Sequence, residues 1–292
     1  MTTNYTHGVS SSGVPVLGAS IFGNPWWVDG NLGSIWGPGD SRSQPYKGLT
    51  AVLAKVSPGD TVYAKGNFVE NVVAPAGLFN IKIIGVPDPP RHADAHTGNN
   101  GYFASTWKAS SQTEPLIKLR QQGWTIANFL LDAPTSDAAV EFLRDAAAGD
   151  AERDSSHARI LNCRFASGAT GILITGTENV FDVEVAGCTF NDLTDAIKGD
   201  TAWRWHIHNN LFMANTNHID SGFTQSVIER NVFGKFTTKS IDLRGGADNV
   251  VTTNALSGTY SELGGYFASG ASDEWGGNYN STSGGITASD PA

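Results

Sequence analysis

Between residues 158 and 256 an aliphatic residue flanked by mostly polar neighbours returns five times. The segments are Arg159-Ile160-Leu161, Glu184-Val185-Ala186, His206-Ile207-His208, Val227-Ile228-Glu229 and Val250-Val251-Thr252. Their central residues, at 160, 185, 207, 228 and 251, are 25, 22, 21 and 23 positions apart. A period of this size marks stacked supersecondary units, none of which buries its own apolar side alone. The alternation within each unit is that of a strand. A second apolar position follows in every unit, in Ile172-Leu173-Ile174, Ile197-Lys198-Gly199, Ile219-Asp220-Ser221 and Ile241-Asp242-Leu243, with Gly, Asn, Asp and Thr between. No helical stretch separates the strands, which argues against a leucine-rich repeat. The pattern predicts an all-β fold, a right-handed parallel β-helix.

In such a solenoid, equivalent residues of successive coils lie about 4.8 Å apart and form ladders. One slot reads Cys163, Cys188, Asn210, Asn231 and Asn254, and two residues later comes Phe165, Phe190, Phe212, Phe233 or Leu256. The first series predicts buried amides bonded along the stack, the second a parallel stack of rings. The two cysteines become interior neighbours, read as free thiols, although their spacing also allows a disulfide.

Residues 1–25 are small, polar and interrupted by Gly and Pro. They read as a disordered leader or as an extended arm; the arm is the expectation carried forward, with Val14, Val16, Leu17, Ile21 and Phe22 as its contacts to a partner. The β-helix is expected over 26–257. A capping helix is expected at about 46–56, from Leu49, Val52, Leu53 and Val56 at helical spacing, stopped by Pro58 and Gly59. Residues 87–114 are expected to leave the coil as a long loop; 137–154 reads as a strand plus loop or as a short helix, and the coil alignment favours a strand at Val140–Leu143. After Leu256 the repeat fades, so 258–292 is read as a Gly/Ser-rich cap or tail.

Composition narrows the function. The formal net charge of −9 argues against a nucleic-acid surface, which needs a basic patch. It also makes a neutral polysaccharide a better partner than an anionic one, unless a local patch compensates. No run of residues is long enough for a membrane-spanning helix, and no secretion signal is visible. Two cysteines give neither a disulfide framework nor metal-ligand spacing, and no cofactor is expected.

The outward column of the second strand reads Leu173, Lys198, Asp220 and Asp242, with Arg244 nearby. Asp220 and Asp242 on adjacent coils are the candidate acid and base for a glycosidic bond, which retaining chemistry places about 5 Å apart. With Lys198 and Arg244 beside them they equally form a surface charge network of small energetic weight. On the first strand His206 and His208 point outward, with Glu184 one coil from His206 and Glu229 one coil from His208. These are a candidate surface site, but two histidines without a third ligand are a poor metal signal. Trp203 and Trp205 flank them, and strand parity turns both indoles inward or into a corner.

Two resemblances add to this. Trp27-Val28-Asp29-Gly30-Asn31, Pro45-Tyr46-Lys47-Gly48-Leu49-Thr50 and Ser57-Pro58-Gly59-Asp60-Thr61 resemble the opening of the pectate-lyase-like β-helix superfamily. That implies the fold and the capping helix but not the activity, since lyases, hydrolases, adhesins and phage spikes share it. The Asp-rich calcium cluster of pectate lyases and the signatures of polygalacturonases are not recognisable here. Both ends, Asn4-Tyr5-Thr6-His7-Gly8 through Val16 and Trp275-Gly276-Gly277-Asn278 with Gly285-Ile286-Thr287-Ala288, resemble a small virion protein of tailed bacteriophages. This resemblance implies a non-enzymatic structural protein, head-decorating or tail-attached, anchored by its arm to a phage capsid or tail protein and forming a homotrimer. It implies a place on the virion surface after assembly in the host cytoplasm. The rival expectation is a spike or adhesin that binds or cleaves host surface polysaccharide on its outward face.

Overall fold

The computed structural model describes residues 10–11, 14–15, 23–34, 37–86, 105–144, 154–176, 179–257, 267–282, 284–286 and 291. The chain winds as a parallel solenoid whose coils pair strand on strand from Pro25–Asp29 to Tyr279–Asn280. Each full coil carries three faces. Face one holds the predicted first strands, with Ile160, Val185, Ile207, Ile228 and Val251 in register. Face three holds the second strands, with Val140, Ile172, Ile197, Ile219 and Ile241 in register. Face two lies between them and carries the phenylalanines.

All of these inward residues are fully buried, and a buried Val, Ile or Phe contributes roughly 1.5–3 kcal/mol. Phe165, Phe190, Phe212 and Phe233 stack with centroids 4.5, 4.8 and 4.7 Å apart. The amide ladder is present: Oδ1 of Asn231 accepts the Asn210 backbone N–H at 2.9 Å and its Nδ2 at 3.0 Å. Asn231 Nδ2 in turn donates to Ile207 O and Asn254 Oδ1. Cys163 and Cys188 occupy the upper rungs as buried free thiols, donating to the carbonyls of Leu161 and Ala186.

The ladder has one more rung than expected, because Asn278 bonds Asn254 and donates to Val251 O. The repeat therefore continues beyond Leu256, through Glu274–Gly276 and Tyr279–Asn280, with Trp275 in the core. It escaped the sequence pattern because Trp275 replaces the aliphatic marker. A second ladder at the opposite edge of face one joins Trp205 N–H to Ser226, Ser226 N–H to Asn249, and Asn249 to Asp273.

Both ladders depend on bends. Asp182, Arg204, Gln225 and Asp248 precede face one with φ between 52° and 57°, and Asn209, Arg230 and Thr253 follow it with φ between 53° and 55°. Each left-handed residue turns the chain so that the next side chain points inward. Such a conformation costs a non-glycine residue about 1–2 kcal/mol, least for Asn and Asp; the buried bonds of the ladders offset it.

The first coil is closed by a helix, Leu49–Leu53, shorter than the expected 46–56. Its N-terminal N–H groups are capped from the following coil, since Glu70 accepts from Leu49 N at 2.7 Å and Thr50 N at 2.9 Å. Asp60 of the Pro-Gly-Asp-Thr turn is buried and accepts from Asn24 N, Trp26 Nε1 and Ser57 N. Three N–H bonds on one carboxylate hold the chain entry, the turn and the first strand together. Ser105–Lys108 is a strand, so the excursion expected over 87–114 ends by 105; its first part lies outside the described residues. The strand expected within 137–154 is present as Ala138–Arg144. Within the expected arm, Ser10–Ser11 pairs antiparallel with Val14–Pro15, a regular element where none was expected. Val16, Leu17, Ile21 and Phe22 lie outside the described residues.

Candidate functional site

Face three brings Asp220 and Asp242 into register on adjacent coils, in one column with Lys198 and Leu173. Asp242 is nearly closed off from solvent, and Arg244 grips it through Nε at 2.9 Å and its backbone N–H at 3.1 Å, with Nη2 and Lys239 Nζ as further donors. Burial favours the neutral acid, but the bonds from Arg244 and Lys239 outweigh it and hold the pKa at about 2. A carboxyl so low holds no proton to give near neutral pH. Asp220 lies 3.7 Å from the same Lys239. One coil back, Asp195 is bonded by Lys198 at 2.9 Å and by Asn217 at 2.6 Å. The column is a chain of ion pairs.

On face one the histidines and glutamates meet diagonally. His206 is in register with Glu184 and His208 with Glu229, yet His206 Nε2 bonds Glu229 at 3.0 Å and His208 Nε2 bonds Glu184 at 3.1 Å. The two rings stack at 4.1 Å. Arg159 pairs with Glu184 at 3.3 Å, and Arg230 bonds Glu229. Burial raises the Glu229 pKa, and the bonds from His206 and Arg230 more than reverse this.

Trp205 is in the core, and Trp203 lies partly buried at the corner before face one. The two differ because the left-handed Arg204 between them breaks the alternation. Two further groups escaped sequence reasoning. Asp137 has its pKa raised by burial, with Glu141 and Glu114 adding to the effect, while Glu141 is bonded by Thr175 at 2.7 Å and Lys118 at 2.9 Å. His218 is buried among Phe212, Phe233 and Phe236, and burial lowers its pKa to about 4 although a bond to Gly234 O works the other way. Only the coil register shows what lies around either residue.

The architecture has known counterparts. The pectin methylesterase of Aspergillus niger superposes with a TM-score of 0.54 at 12% identity, over 88% of this chain and 85% of that one. Pectin methylesterase PemA of Erwinia chrysanthemi gives 0.41 at 10% identity, over 91% of both chains. At these identities the likeness is one of fold alone: an all-β parallel β-helix. No curated protein matches the sequence. A family profile described as "Periplasmic copper-binding protein (NosD)" matches residues 96–279. That description overturns the expected place on a virion surface after cytoplasmic assembly. The match spans well over half of the sequence, and the chain belongs to the NosD family.

Proposed function

We propose that this chain is a non-enzymatic β-helical scaffold that acts outside the cytoplasm, as the family's description indicates, and presents its outward faces to a binding partner. The observation that carries this reading is the state of the aligned acids. Asp195, Asp220, Asp242, Glu184 and Glu229 each lie within ion-pair distance of a neighbouring cation or imidazole. A hydrolytic pair needs one acid that keeps its proton and one that has lost it, and Asp242 is held in the ionised form. The structural, non-enzymatic part of the reading does not depend on a phage particle.

Copper, named in the family's description, does not suit the described residues. Among them no group of three or more His, Cys, Asp or Glu side chains is placed to hold a metal ion. The Nε2 atoms of His206 and His208 are directed at different carboxylates, and the thiols of Cys163 and Cys188 are buried and bonded to carbonyl oxygens. If copper is taken up, replacing His206 and His208 together by Ala leaves the copper content measured after dialysis unchanged.

The scaffold reading is tested by incubating the full chain with pectin, polygalacturonate and neutral β-glucans while following reducing ends and unsaturated uronide absorbance. No turnover is expected. Turnover that disappears in Asp220→Asn with Asp242→Asn overturns the proposal. The Asp137 pKa, raised beside the paired Glu141, favours a second reading, a hydrolase built on those two acids. Turnover lost in Asp137→Asn but retained in the Asp220/Asp242 variant would establish it.

A further inference from the structure

Among the described aromatic side chains that are not buried, two stand together beside a cluster of paired charges. Phe181 and Trp203 are in register on adjacent coils, immediately before the bend into face one. Both are only partly buried and neither belongs to the buried core. Their rings meet edge to face at 5.9 Å. The guanidinium groups of Arg144 and Arg204 lie 4.7 and 5.1 Å from the centre of the Phe181 ring. Asp182, in the bend, fixes Arg204 through two bonds of 2.7 and 2.9 Å and lies 3.3 Å from His157. Arg144 donates to the Asn179 carbonyl at 2.5 Å and lies 3.6 Å from Asp154. Past the bend the outward surface continues with Glu184, His206, His208 and Glu229.

We infer that this edge is a glycan-binding site whose platform is Trp203 and whose polar rim is Asp182, Arg204 and the His–Glu pairs. The reasoning is one of matching surfaces. A pyranose ring has an apolar face of C–H groups and a rim of hydroxyls, each both donor and acceptor. The exposed part of the Trp203 indole covers the first. Planar carboxylates and guanidinium groups, held in place by one another, bond the second without first having to be ordered. Arg204 is matched by Asp182, Glu184 by Arg159 and Glu229 by Arg230, so the rim carries little net charge and calls for a neutral ligand. The overall charge of −9 repels a polyanion and leaves a neutral chain unaffected. The site therefore takes an uncharged oligosaccharide.

Isothermal titration of the full chain with cellohexaose, maltohexaose and laminarihexaose, and with a hexamer of galacturonate, tests this. At least one neutral hexamer is expected to bind. Trp203→Ala should weaken it roughly tenfold or more, as truncation of an aromatic anchor does, and Trp203→Phe should weaken it less. Arg204→Gln should weaken it too, and Phe79→Ala, an exposed aromatic elsewhere, should leave it unchanged. A thermal melt confirms that each variant is folded. The inference is overturned if no neutral hexamer binds, if only the galacturonate hexamer binds, or if binding survives Trp203→Ala intact. None of these outcomes bears on whether the protein is an enzyme.

Discussion

The amide ladder and the outward ion-pair column are built the same way, from short polar side chains stacked on successive coils, yet they differ in what they hold. Asn231 has no water to turn to, and its side chain links three coils through Asn210, Ile207 and Asn254. Asp220 lies at the rim of solvent, with one cation 3.7 Å away. Burial makes the difference. An unmade bond inside leaves donors and acceptors stranded at about 1–3 kcal/mol each, whereas outside water replaces the partner and a median pair is worth about 0–1 kcal/mol.

The largest effect expected from this contrast is on the inside. Asn231→Ala removes the acceptor of two Asn210 groups and the donor to Ile207 O. It should cost roughly 4 kcal/mol, read as a fall in the urea midpoint with unchanged slope. A loss below about 1 kcal/mol would mean that water enters the ladder. Next comes His218, equally buried but titratable. Its Nδ1 accepts from Asn215, whose Oδ1 accepts from Leu193 N and whose Nδ2 also reaches Phe190 O. Its pKa falls from 6.5 to about 4 on folding. The unfolded chain therefore binds the proton more tightly. Stability is complete above pH 6.5 and declines as the pH drops toward 4, by about 3 kcal/mol for this group. His218→Gln cannot titrate, and its stability should change less across that interval than that of the natural protein.

Much of this was legible in the sequence. The period of 21 to 25 residues, the Phe series and the Asn series are direct statements of what faces inward, and the register of the coils follows them. The final coil was hidden because Trp275 stands in the aliphatic slot while only Asn278 keeps the pattern. The surface was harder to read, since strand parity orders side chains only within an unbroken strand. Arg204, left-handed between Trp203 and Trp205, leaves one indole at the corner and turns the other in, and nothing in its side chain announces that conformation. The diagonal pairing of His206 with Glu229 was likewise out of reach: register fixes backbones, and long side chains choose among neighbours.

A smaller effect of opposite sign should mark the junction between the two kinds of rung. Cys188 offers its sulfur to Cys163 N at 3.5 Å, and its one thiol proton is shared between Ala186 O and Ile160 O, each at 3.5 Å. Asn at 188 would replace these with amide bonds of the kind made at 210 and donate to Asn210 Oδ1 as well. Cys188→Asn should raise stability by about 1 kcal/mol, the typical net worth of an internal bond. A decrease in the melting temperature would show that the upper rungs are too tight for an amide.

The smallest effect belongs to the outward column, where two aspartates in register differ in how far they are enclosed. Asp220→Asn should change stability at pH 7 by less than about 0.5 kcal/mol, since its partner is shared and water is at hand. Asp242→Asn keeps its shape but gives up the charge that Arg244 and Lys239 surround, and about 1 kcal/mol should go with it. The sign with pH follows from a pKa lowered to about 2: the contribution of Asp242 is present above pH 3.8 and disappears as the pH falls through 2. The Asp242→Asn variant and the natural protein should therefore converge in stability at the acid end while Asp220→Asn tracks the natural protein throughout. If Asp220→Asn instead proves the costlier of the two at neutral pH, solvent access is not what separates the inner ladder from the outer column, and the contrast between them fails.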